Sequence, residues 1–162
     1  MHLTKAQNQN HGGFSLIELL IVVAIIGIIA SIAIPNLLAS RRAANEGSAQ
    51  QSMRTIGSCE VAYKFSYGNG SYADLTTLGA KVMTDSVLSS GTKSGYTFGA
   101  TPVAGPSEQF WAYAFPVTTT GISSTGSRRF AITEDGVLRG DTDLTSPPAN
   151  QVAAQAMPAM GN

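Results

Sequence analysis

The stretch GGFSLIELLIVVAIIGIIASIAIP, Gly12 to Pro35, places one carboxylate, Glu18, at the head of an apolar run longer than most globular helices contain. From Leu19 to Ala39 there are 21 residues without a charge. At about 1.5 Å per residue a helix of that length spans roughly 30 Å, the thickness of a bilayer's hydrocarbon core. Arg41 and Arg42 follow at once, where an interfacial cation belongs, while Lys5 and the terminal amine flank the other side, so charge bias alone does not orient the span. The competing reading is a cleaved secretory signal with Ser31-Ile32-Ala33 as its small-x-small site. The run is too long for it, and Glu18 sits where an export signal is apolar. A carboxylate in hydrocarbon costs several kcal/mol unless it is paired. No Lys, Arg or His lies within helical reach of Glu18, so a charged partner has to come from another molecule.

Composition narrows the function. The 162 residues carry zero formal net charge, and Arg41/Arg42 and Arg128/Arg129 are isolated basic pairs, so no stripe for nucleic acid is present. Cys59 is the single cysteine and forms no intramolecular disulfide. Both histidines, His2 and His11, precede the apolar run; if that end is removed, no imidazole remains to activate Cys59 or a serine, or to complete a Cys/His zinc site. These shortages argue against an enzyme.

The order glycine, aromatic, acid, long apolar run is specific. Gly12-Gly13 followed by Phe14-Ser15-Leu16-Ile17-Glu18-Leu19-Leu20 resembles the class III leader junction of type IV pilins and type II secretion pseudopilins. The resemblance implies that a membrane prepilin peptidase cuts between Gly13 and Phe14 and that Phe14 becomes N-methylated. It implies that Glu18 of one subunit pairs with the new Phe14 amine of a neighbour in a packed helical bundle. It also brings an expectation of a local opening of the helix between Gly27 and Pro35. From the residues alone, Pro35 cannot donate to the carbonyl of Ser31, and a smooth kink is the alternative.

Beyond Pro35 the segment to Phe65 has no proline, and Leu38, Ala49, Met53, Ile56, Ala62 and Phe65 recur at mostly helical spacing among charged residues. This predicts one long helix whose C-terminal half is amphipathic and covers a sheet. Tyr67-Gly68-Asn69-Gly70-Ser71-Tyr72 ends it; Asn69-Gly70-Ser71 is formally a glycosylation sequon but reads more simply as a turn. Ala73 to Gly79 resembles the loop after the long helix in the family. Strands are expected over 95–103, 109–117, 128–133 and 137–139, with Asp135-Gly136 as a hairpin signal. Trp111, Tyr113 and Phe115 alternate with Ala112 and Ala114, and the bulky face is expected against the helix. The spacing of Tyr63, Phe65 and Tyr67 does not establish an electron-carrying stack. Asp141 and Asp143, near Glu134 and Asp135, are candidate oxygen ligands for calcium, as in the C-terminal loop of major pseudopilins, with a solvated acidic loop as the plainer reading; no other cofactor is expected. The stretch 147–162 has no charged side chain and is expected to be flexible or laid over the surface. A lone Cys59 departs from the family's disulfide-bounded C-terminal region, so adhesion mapped there is not carried over.

The expected architecture is α+β and pilin-like: leader 1–13, a membrane-spanning and polymerising half-helix 14–39, an amphipathic half-helix 40–66, a loop and antiparallel sheet 67–146, and a tail 147–162. The expected function is a structural subunit of a type IV pilus-like filament, made as an inner-membrane precursor and then displayed at the cell surface. Its partners would be copies of itself, the prepilin peptidase, an inner-membrane assembly platform with its ATPase, minor pilins and an outer-membrane secretin. The rivals are a major pseudopilin forming a periplasmic pseudopilus and a membrane-tethered or exported ligand-binding domain.

Overall fold

A computed structural model describes residues 13–103 and 108–161. Leader positions 1–12 lie outside the described residues. The chain divides between Leu37 and Leu38 into two units. One helix, α1, runs Leu16–Ser66 over 51 residues with Pro35 inside it. Then come α2 (Leu75–Lys81), α3 (Ser86–Ser89), β1 (Thr92–Lys93), β2 (Tyr96–Val103), β3 (Gln109–Pro116), β4 (Arg129–Thr133), β5 (Arg139–Asp141) and α4 (Gln151–Gln155). The five strands form one antiparallel sheet in chain order, with Phe98 opposite Ala114 and Ala112 opposite Ile132.

In the second unit a stripe of α1, Glu46, Ala49, Ser52, Met53, Ile56 and Glu60, is buried. Ala49, Met53 and Ile56 share a core with Phe98, Ala100, Phe110, Ala112, Ala114, Phe130 and Ile132 of the sheet. Burying a large side chain such as Phe110 or Phe130 is worth about 1.5–3 kcal/mol relative to exposure. Phe65 and Ala62, expected on the buried side, are exposed. The helix stops where glycine and asparagine accumulate: the Gly68 N–H bonds the Tyr63 carbonyl at 2.8 Å and the Gly70 N–H that of Lys64 at 3.1 Å. Asn69 and Gly70 take positive φ, 48° and 99°, which asparagine and glycine tolerate best.

The sheet inverts one expectation. Along β3 the buried positions are Phe110, Ala112, Ala114 and Pro116, whereas Trp111, Tyr113 and Phe115 point to the other face. Alanines let the broad helix approach the strands, and the large rings instead cover the outer face, where Trp111 and Tyr113 stack at 5.6 Å. The tail joins them there. Rather than being flexible, it forms α4, capped by the Asn150 side chain, and buries Ala154 and Met157 against Ala131 and Trp111. Its end is tied by the Met160 N–H to Leu138 at 2.9 Å and the Gly140 N–H to Pro158 at 3.0 Å. An uncharged tail holds down an otherwise bare aromatic face. The segment after Ala73 is also more regular than a loop: Asp74 accepts the Thr77 N–H at 2.7 Å and starts α2.

Glu46 joins α1 to the approach of β4. Its carboxylate accepts the Ser127 N–H (2.8 Å), the Ser127 hydroxyl (2.6 Å) and the Arg128 guanidinium (2.9 and 2.8 Å). Burial alone would raise its pKa, but these donors hold it below the ordinary carboxylate range.

Candidate assembly site

Gly13 to Ser15 carry no regular secondary structure, and Phe14 is 89% exposed, so the peptide bond between Gly13 and Phe14 lies in accessible, irregular chain. Glu18 sits in the first turn of α1 and its Oε2 accepts the Ser15 N–H at 2.8 Å. Leading N–H groups of a helix lack intrahelical acceptors, and a carboxylate three residues on satisfies one while complementing the positive end of the helix dipole. A search of the sequence for cations misses this own-chain donor; the Ser15-x-x-Glu18 spacing of a capping box is the signal that finds it. One amide neutralises no charge, and a carboxylate has roughly four acceptor positions, so the bond leaves Glu18 able to take a cation as well.

Past Glu18, the large apolar side chains from Leu19 to Leu37 are all exposed. By length and composition α1 can cross a membrane. Gly27 lies inside the continuous helix, and a Cβ placed there would meet nothing within 4 Å, so nothing in the chain's own packing requires glycine. The helix also continues through Pro35 as one element, whereas the opening that the resemblance implies concerns the assembled filament. Neighbouring side chains bond nearby carbonyls: the Ser31 hydroxyl donates to Ile28 at 2.8 Å and the Asn36 amide to Ile32 at 3.1 Å.

Residues 8–34 match the family described as the prokaryotic N-terminal methylation motif. The chain is 63% identical over 38 residues to the type IV wide pilus major component PilA4 of Thermus thermophilus, an alignment covering 24% of this chain and 29% of that protein. It is 39% identical over 56 residues to the type IV major pilin protein PilA of Myxococcus xanthus, covering 35% of this chain and 26% of that one. Over its N-terminal helix the chain is similar to type IV pilins. The matches thus span between a quarter and a third of either relative's length. No solved structure matches the chain.

The remaining candidates sit on the sheet unit. Asp141 and Asp143 do come together, but on a guanidinium: Arg129 bonds Asp141 at 2.7 and 3.0 Å, Asp143 at 3.0 Å and the Ser146 carbonyl at 2.6 Å. Arg129 supplies half of the positive charge that calcium would bring to the two carboxylates and draws both onto itself. Among the described residues no group of three or more His, Cys, Asp or Glu is placed to hold a metal. Asp135 pairs instead with Arg139, which lowers its pKa to about 2, and Glu134 accepts the amides of Gln151 (2.7 Å) and Gln155 (3.1 Å) from α4. Tyr63 and Tyr67 stack at 6.3 Å, while Phe65, between them in sequence, is 83% exposed and belongs to no ring pair among the described residues. Cys59 is partly buried and its thiol pKa is raised by burial and by Glu60, the reverse of an activated nucleophile.

Proposed function

We propose that the chain is the precursor of a pilus subunit that polymerises through residues 14–39 into a type IV pilus-like surface filament after cleavage between Gly13 and Phe14 and N-methylation of Phe14. The observation that carries the reading is one acid, Glu18, at the head of a helical stretch, 19–37, whose large apolar side chains are all exposed, and Glu18 lies within the matched methylation motif. Such a helix is stable in lipid or among copies of itself, not in water. Cleavage would create a cationic amine at Phe14 close to the Glu18 carboxylate in sequence. In a bundle, the amine of one subunit would meet the carboxylate of the next and fix the axial register. Breaking a buried pair of this kind costs roughly 3–5 kcal/mol, because the remaining charge stays unpaired.

The precursor would stand in the inner membrane. Processing would need a prepilin peptidase, and growth an assembly platform with its ATPase; minor pilins and an outer-membrane secretin complete the expected set. The subunit's role is structural and asks no catalysis of it. Shearing cells and determining the N-terminal peptide mass of this protein in the released fibres tests the reading. N-methylated Phe14 in fibres supports it, and processed protein confined to membranes would point to a pseudopilin. A terminus at Met1 or Ile34 would overturn it. Glu18→Ala is expected to leave processing intact and to abolish most fibre yield; normal yield would defeat the pairing argument.

A further inference from the structure

Glu60 is a buried carboxylate in the sheet unit with few donors to meet it. It lies on α1 one turn before Lys64, is 0% exposed, and has a single hydrogen bond: its Oε2 accepts the Ala73 N–H at 3.0 Å. Its Oε1 is enclosed and has no partner among the described residues. Ala73 is the last residue but one of the segment 67–74 that turns back after the helix. Within that segment Tyr72 lies on Phe110 at 4.8 Å, the Lys64 ammonium sits 4.3 Å over the Tyr72 ring, and Asp74 caps α2. The Glu60–Ala73 bond therefore ties the end of α1 to the cover over Phe110. We propose that this bond is a proton-operated latch: with Glu60 protonated the segment 67–74 stays closed on the core, and with Glu60 ionised it releases.

The geometry gives the direction. A neutral carboxyl accepting one amide is tolerable in an apolar enclosure. A carboxylate there has one donor where it needs several, and it faces the like charge of Asp74. Burial, reinforced by Asp74 and opposed by the Ala73 N–H, raises the Glu60 pKa from 4.5 to about 7. The groups around it do not titrate in the same interval. Asp74 is held below its usual 3.8 by the Thr77 hydroxyl and amide. The Cys59 thiol is raised above 9.0. The buried sheet side chains of the shared core are uncharged. Ionisation is relieved by letting water reach Oε1, and the Ala73 amide that Glu60 holds belongs to a segment, 67–74, that lies outside helix and sheet.

Hydrogen exchange at the Ala73 amide, followed by NMR on the full chain in detergent micelles and corrected for the intrinsic rate, reads the latch directly. With a closed-state pKa of about 7 and an open-state value of 4.5, protection is expected to fall roughly seventyfold between pH 5 and pH 8. Glu60→Gln keeps an oxygen for the Ala73 N–H and cannot ionise, so its protection is expected to be flat over that range. Pulling the 13C shift of the wild-type Glu60 carboxyl through a titration needs no variant; a midpoint between pH 6 and 8 is expected. Protection constant within threefold in the wild type, the same fall in Glu60→Gln, or a carboxyl midpoint near 4.5 would each overturn the latch.

Discussion

Replacing Glu46 by alanine is expected to loosen the joint between the helix and the sheet. The wild-type carboxylate, 8% exposed as a side chain, collects two bonds from Ser127 and a two-pronged contact from Arg128. Removing it orphans the Ser127 N–H and hydroxyl, at about 1–1.5 kcal/mol each for donors that water reaches only in part. Arg128 is 39% exposed and can turn its charge to solvent, so the full penalty for a stranded buried charge does not apply. The net loss is about 2–3 kcal/mol, which for a unit of this size lowers Tm by roughly 8–12 °C. Differential scanning calorimetry of both proteins in the same detergent measures it. The pH dependence has a fixed sign. The folded pKa lies below the unfolded 4.5, so the contribution is present above that value and fades as pH falls through the folded value. The wild-type advantage should therefore be full at pH 7 and shrink as pH falls below 4.5. A Tm loss under 3 °C at pH 7, or a gap that does not narrow in acid, would refute the reasoning.

Gly126→Ala would drive a Cβ into the Tyr96 hydroxyl, which is fixed by its bond to the Arg128 carbonyl at 2.8 Å, and a Tm loss of at least several degrees by calorimetry is expected. Gly47→Ala meets nothing within 4 Å and should stabilise the isolated subunit by about 0.5–1 kcal/mol through the helix preference of alanine, read as a higher Tm. Met157→Ala uncovers Ala131 and Trp111 and is expected to cost about 2 kcal/mol and to raise the solvent quenching of Trp111 fluorescence. EDTA should leave Tm unchanged, because Arg129 already engages both Asp141 and Asp143; a drop of several degrees would show that these carboxylates open to a cation.

The long helix, its glycine-rich stop and three of the strands are legible in the sequence because each depends on local signals: unbroken apolar spacing, Gly68-Asn69-Gly70, and alternation flanked by glycine. The choice of sheet face is not local. Trp111-Ala112-Tyr113-Ala114-Phe115 fixes which residues share a face, but which face meets α1 depends on the separation between helix and sheet and on a tail some 40 residues later. Without the tail's Ala154 and Met157, large aromatics turned outward look like a misplaced core. The position of β5 is displaced for a related reason: Asp135-Gly136 does turn the chain, but Asp135 binds the Val137 N–H and Arg139, which delays pairing until Arg139.

The two buried glutamates show where pattern ends and chemistry begins. Glu46, Ala49, Met53, Ile56 and Glu60 recur at steps of three and four, so the sequence places both acids on the stripe that meets the sheet. It says nothing about what each will find there. Glu46 is met by Ser127 and Arg128, more than 80 positions away, and becomes a fixed anion. Glu60 is met by one amide and an acid, and becomes a group that prefers its proton. Their effects on stability therefore run in opposite directions with pH: Glu46 loses its contribution in acid, while Glu60 costs stability as pH rises from 4.5 to about 7, because the unfolded chain gives up that proton first. A wild-type stability maximum on the acid side of neutrality follows from the pair, and in Glu60→Gln the maximum should broaden toward pH 8. If the two profiles superimpose, the burial of Glu60 is not what its geometry implies.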